Sequence, residues 1–164
     1  MFEFLFRRRA PAAGLIAAAL LAACAAPSKQ PPPAEKPQIS CQAAAPGDAL
    51  VGNWLSVRKE KGVVGELRTL FTLHPDGTMA YTEQLKRGNK PSQGLSETGC
   101  WKREGQALVL QTLQSNGMPI DTNDPIYTNR YAVSSLAGSS LAMRHADGSA
   151  IKARRMSPGY RLPF

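Results

Sequence analysis

At 164 residues the chain fits one small domain, and its formal charge is +8, of which the first 23 residues hold +2. Three cysteines without a Cys-x-x-Cys pair, and isolated histidines at 74 and 145, exclude the usual zinc patterns, so no metal or other cofactor is expected. The basic surplus suits acidic partners such as anionic lipid or a polyanionic envelope polymer, or is simply a solvated surface.

The chain begins with a basic stretch, Arg7-Arg8-Arg9, followed by a short apolar run from Ala10 to Leu21. That run is too short to span a bilayer and has the layout of a secretory signal. It ends in Leu21-Ala22-Ala23-Cys24, which resembles the lipobox of bacterial lipoproteins. The resemblance implies that residues 1–23 are a cleaved signal peptide. Cys24 then becomes the first mature residue and carries thioether-linked lipid and an acylated amine, palmitate among the acyl groups. At about 0.8 kcal/mol per buried methylene, two or more chains anchor a protein stably without a spanning helix. The alternative is an ordinary secretory signal with an incidental cysteine. Residue 25 is Ala, not the Asp that resembles an inner-membrane retention signal. The expected location is therefore the outer membrane of a Gram-negative cell, lipid-anchored and facing the periplasm, with the inner membrane as second choice. An exported, anchored protein does not meet nucleic acid.

Residues 24–48 form the anchor and an Ala/Pro-rich linker, in which Pro31-Pro32-Pro33 favours an extended polyproline tether. With Cys24 assigned to lipid, Cys41 and Cys100 remain. In an oxidising compartment they are expected to form one disulfide, two free thiols being the alternative. A closed loop of about 60 residues contributes on the order of 4 kcal/mol in the chain-entropy model.

From residue 49 to 164 short apolar–polar alternations are separated by turn residues, and no stretch has a helical period. Eight strands are expected, near 53–60, 66–74, 78–86, 95–103, 106–113, 126–135, 139–145 and 149–156. His74-Pro75-Asp76-Gly77 and Ala146-Asp147-Gly148 are the clearest turns. Eight strands with no covering helix must hide their edges, and a small antiparallel eight-stranded meander barrel is the simplest solution. Alternation puts Leu67, Thr69, Phe71 and Leu73 on one face. Met79, Tyr81, Glu83 and Leu85 share that face, as do Leu95, Glu97, Gly99 and Trp101. Leu108, Leu110, Tyr127, Asn129, Tyr131, Val133, Leu141 and Met143 complete it. This inner face is apolar apart from Glu83, Glu97 and Asn129, which either line a ligand site or sit near strand ends.

The order Leu50-Val51-Gly52-Asn53-Trp54, then Leu70-Phe71-Thr72-Leu73 running into Pro75-Asp76-Gly77-Thr78, then Gly99-Cys100-Trp101 and Leu108-Val109-Leu110, resembles small bacterial lipocalin-like domains of the calycin group. The resemblance covers residues 50–156. It implies a barrel enclosing a ligand cavity or a packed core. It also implies that Trp54 closes the barrel floor beneath Arg154 or Arg155, by a cation–π contact. The helix that follows the lipocalin barrel has no counterpart in Ser157–Phe164, and the loop at 114–125 is long and polar.

No catalytic constellation is found: there is no Gly-x-Ser-x-Gly and no phosphate loop, and no enzymatic activity is expected. Asp121, Asn123 and Asp124 lack EF-hand spacing and read as turn formers. Two functions remain open. One is binding of a hydrophobic or amphipathic small molecule, with Phe71, Tyr81, Glu83, Glu97, Asn129 and Tyr131 as candidate contacts. The other is a packed barrel that docks an envelope protein as an interaction or scaffold module.

Overall fold

A computed structural model describes residues 40–90 and 92–163. The expected signal segment, Cys24 and most of the expected linker lie outside the described residues. Nine strands follow in chain order: β1 (Gly52–Arg58), β2 (Glu66–Leu73), β3 (Thr78–Lys86), β4 (Gln93–Glu104), β5 (Ala107–Ser115), β6 (Met118–Pro119), β7 (Thr128–Ala137), β8 (Ser140–His145) and β9 (Ala150–Met156). Among the described residues a single 3-10 turn, Pro125–Tyr127, precedes β7. Every pairing is antiparallel. The ring runs β1-β2-β3-β4-β5-β7-β8-β9 and closes where β9 meets β1, at Asn53↔Met156, Trp54↔Arg155 and Leu55↔Arg154. Eight strands thus form a closed up-and-down barrel with no free edge. The two-residue β6 only extends the end of β5, through Gln114↔Pro119 and Ser115↔Met118.

The inner face is the one the alternation marks. Trp54, Phe71, Leu73, Met79, Trp101, Leu108, Leu110, Leu141 and Met143 are buried together in one cluster. The floor end is built from the short turns 74–77, 104–107 and 137–140, together with the segment from Cys41 to Val51. That segment is held by the Cys41–Cys100 disulfide, with Cα atoms 5.3 Å apart, and by Ala44 N donating to Pro75 O at 2.9 Å. Trp54 is fully buried and its Nε1 donates to Leu50 O at 2.8 Å. Trp101 Nε1 donates to His74 O at 2.8 Å. Both indoles therefore bury a large apolar area without leaving their one donor unpaired.

Both Gly-x-Trp glycines are needed where they stand. Gly52 has φ +133°, and a Cβ there would lie 2.5 Å from Arg155 Nη1. Gly99 sits where the β4–β5 register shifts between Thr98 and Gly99, and a Cβ would overlap Gln111 O.

A second, smaller apolar cluster lies outside the barrel. Leu55 and Leu70 face outward from β1 and β2 and are covered by Leu162, Tyr160 and Met156. The tail after β9 is strapped down by Asn53 Nδ2 donating to Ser157 O at 2.9 Å and by Gln84 Nε2 donating to Pro163 O. Beside this strap runs a groove of about 650 Å³, lined by Leu70, Thr72, Ala80, Thr82, Tyr160 and Leu162 among others. Residues 39–164 form one compact unit with its own closed sheet, core and disulfide, which is what an independently folding domain requires.

Candidate functional site

The mouth of the barrel is the end opposite the floor, where β1 ends and β2 begins. Here the connections are longer: 59–65, 87–92 and 116–127, with 146–149 between β8 and β9. The inward-facing side chains change character along the barrel. Near the floor they are apolar and buried. Toward the mouth Leu67, Leu85, Leu95, Glu83, Glu97 and Asn129 stay on the inner face by strand alternation, yet are only half-buried. These groups are the partly solvated top layer of the barrel, and with the packed base beneath them they form an open bowl rather than an enclosed cavity.

Two polar networks line this bowl. In the first, Arg58 from β1 donates from Nη1 to Thr69 Oγ1 at 3.0 Å, and its Nη2 lies 3.9 Å from Glu83 Oε2. Thr69 donates to Glu83 Oε2 at 3.3 Å, and the Tyr81 hydroxyl donates to the same oxygen at 2.7 Å. Tyr81 and Glu83 are two residues apart on β3, and so lie on one face. In the second network Glu97 Oε2 accepts from Thr112 Oγ1 at 3.2 Å, across β4 and β5. Tyr81 is the cross-strand partner of Glu97, and Glu83 sits one diagonal step away, opposite Leu95. The two carboxylates thus share one wall.

Beneath them is an aromatic base. Phe71 meets Tyr81 edge-on at 5.3 Å between ring centroids and Tyr131 edge-on at 5.8 Å. Tyr131 in turn lies 5.1 Å from the His145 ring, whose Nδ1 is 3.3 Å from Asp147 Oδ1. Burial, the hydrogen bond to Glu83 and that carboxylate's charge together hold the Tyr81 phenol far above its ordinary range. Tyr131 is pushed up to about 12, first by burial and then by the charge of Glu83. Glu97 is also raised: burial outweighs the Thr112 hydrogen bond, and the Glu83 charge adds to it.

The structure therefore brings Phe71, Tyr81, Glu83, Glu97 and Tyr131 to one region of the interior. Asn129 shares the face, opposite Leu110, but no hydrogen bond joins it to either network among the described residues. Of the groups that hold the two carboxylates, sequence reading placed Thr69 on the inner face without a site role and missed Arg58 and Thr112. Arg58 was within reach, since it continues the inward series Trp54, Ser56, Arg58 on β1. Asp121 and Asp124 make local turns: Asp121 accepts from Asn123 N at 3.0 Å and Asp124 from Ile126 N at 3.0 Å. Among the described residues no group of three metal-ligating side chains comes together.

Chemically the bowl offers three leucines, an aromatic base and two carboxylates, of which only Glu83 is near a guanidinium. Glu97 has a threonine hydroxyl as its partner and retains acceptor capacity for a hydrogen-bond donor or cation from outside. A scan against models of known protein families finds no match, and a search of the curated proteins finds no relative. The family of this chain thus stands as a resemblance. What it shows by itself is a closed eight-stranded antiparallel β-barrel, the architecture that a lipocalin-like domain implies.

Proposed function

We propose that this protein is a lipid-anchored envelope lipoprotein whose barrel mouth binds a small amphipathic molecule. The observation that carries the binding reading is the half-buried inner surface at the mouth. Leu67, Leu85 and Leu95 supply apolar contact there, and Glu97 and Glu83 supply acceptors. Ligand sites combine an apolar lining with a few convergent polar groups, and this surface has that composition. The anchor reading rests on Leu21-Ala22-Ala23-Cys24 behind a basic and an apolar stretch, and the outer-membrane reading on Ala25. In this account the tether holds the barrel at the periplasmic face of the membrane.

Two experiments test the two halves. Cys24→Ser should abolish incorporation of labelled palmitate and leave a precursor or a soluble form; unchanged labelling would end the anchor reading. A fluorescent amphipathic amine should bind the barrel saturably, and Leu85→Glu and Glu97→Gln should each weaken it. Binding that neither variant alters would count against the mouth as the site.

A specific observation favours a second reading. The lower barrel is filled by Trp54, Phe71, Leu108, Leu141 and Met143, each at 1% exposure or less. A core this dry suits an interaction module that presents its outer surface to an envelope partner. Failure of every small-molecule probe, with the barrel intact, would favour that reading.

A further inference from the structure

The β1–β2 and β3–β4 connections stand side by side at the mouth, and together they concentrate the protein's charge. Residues 58–68 and 86–90 hold seven basic side chains and two acidic ones, a net +5 of the chain's +8. Both acids are already occupied: Glu60 pairs with Arg58 at 3.2 Å and Glu66 with Arg68 at 2.7 Å. Lys59, Lys61, Lys86, Arg87 and Lys90 are exposed and take part in no ion pair among the described residues. Between these cations the β1–β2 loop carries Val63 and Val64, 38% and 81% exposed, flanked by Gly62 and Gly65. The two loops enclose a cleft of about 680 Å³ lined by Gly62, Val63, Val64, Arg87, Gly88 and Lys90. At Val63, Gly65 and Gly88 it joins a second, more open one of about 490 Å³, lined also by Lys59, Arg68, Lys86 and Glu66, whose carboxylate is paired with Arg68.

We infer that this end of the barrel docks on an anionic lipid bilayer, independently of any lipid on Cys24. Cations near such a surface are attracted by about 1 kcal/mol each. Apolar residues flanked by basic ones are the composition of segments that enter the headgroup boundary. A soluble polyanion would reward the lysines and leave the valines in water. A bilayer rewards both, and its phosphates fit clefts walled by Lys59, Arg87 and Lys90. The tether enters at the floor, the opposite end. Its 17 residues from Cys24 to Cys41, extended at about 3.1 Å each, would reach roughly 50 Å. A nine-residue strand is about 30 Å long, so an anchored barrel can still lay its mouth on the same membrane.

The test uses residues 40–164, which lack Cys24, with vesicles of phosphatidylglycerol mixed with phosphatidylcholine and with phosphatidylcholine alone. The fragment should float with the anionic vesicles and not with the neutral ones. Each of Lys59→Gln, Lys61→Gln, Arg87→Gln and Lys90→Gln should weaken binding by about fivefold, one kcal/mol at 25 °C. Val63→Ser with Val64→Ser should weaken it by at least about fivefold with the net charge unchanged. Arg154→Gln, exposed on β9 opposite Leu55, and Lys102→Gln, exposed at the floor end of β4, should weaken it less than twofold. Equal binding to both vesicle types would overturn the inference. So would serine variants that bind like the parent, which would reduce the patch to a polyanion site. All these side chains are exposed, so an unchanged melting temperature in each variant confirms that the fold is intact.

Discussion

The Arg155 guanidinium lies over the Trp54 indole, 4.1 Å from the ring centroid, and its Nη1 donates to Val51 O at 2.7 Å. The two residues face each other across the strand pair that closes the barrel, β1 against β9. One side chain thus seals the ring, covers the indole and ties down the incoming chain. Trp54→Ala should cost roughly 3–5 kcal/mol, as other large-to-small core changes do. Arg155→Met should cost less, because a long apolar stem still covers the ring while the cation–π contact and the bond to Val51 are lost. Urea unfolding of the two variants checks the order; a wild-type midpoint for Trp54→Ala would contradict it.

The disulfide gives the second prediction. Cys41 and Cys100 are 59 residues apart, and their bond fastens the incoming segment to β4. Reduction, or Cys41→Ser with Cys100→Ser, should lower stability by about 2–5 kcal/mol. Non-reducing peptide mapping should recover the two cysteines in one linked peptide. Full alkylation without prior reduction would contradict the bond.

The turns were legible from Pro and Gly chemistry, the disulfide from the two cysteines left after Cys24, and the partner of Trp54 only through the family resemblance, as Arg154 or Arg155; the strands and their inner face were legible for a different physical reason. A barrel strand is buried on one side only, so its burial is written in alternate residues. What stayed hidden broke that alternation. Leu55 and Leu70 point outward and look like noise until the C-terminal tail brings Leu162 and Tyr160 over them. The two-residue β6 and the turn Pro125–Tyr127 are too short to have a period. In the mouth, Glu83 and Glu97 were visible because acids on an apolar face stand out. Thr112 was not, and Thr69 was placed on that face without a role, because threonine suits a strand whichever way it faces.

Glu97 supplies a prediction with a definite sign. Its folded pKa is raised, chiefly by burial, so the folded state holds the proton to higher pH than the unfolded chain. Its contribution is therefore fully present below the unfolded pKa near 4.5 and is lost as pH rises through the folded value. At neutral pH the ionised Glu97 destabilises the barrel. Glu97→Gln, which can still accept from Thr112, should be more stable than the parent at pH 7 and equal to it near pH 3. A carboxylate kept at a cost in stability is what the proposed binding role requires. Parallel stability–pH curves for the two proteins would remove that argument.

The tyrosines act at the other end of the scale. Tyr131 is pushed up to about 12, and Tyr81 is raised further still. The unfolded chain ionises both near pH 10, so stability should hold to about pH 10 and fall as pH rises through about 12. Tyr131→Phe should flatten part of that fall. Phenolate absorbance should show Tyr81 and Tyr131 ionising well above the ordinary phenol range; both ionising near pH 10 with the fold intact would contradict the buried aromatic base.

The most direct test of a lipid-anchored binder is native mass spectrometry of the full-length protein, extracted from membranes in mild detergent. The account predicts a chain beginning at Cys24 with added acyl mass. It also predicts a non-covalent small molecule that is released on unfolding and diminished in Glu97→Gln. A chain with no acyl mass and no bound molecule, its barrel still folded, would contradict it.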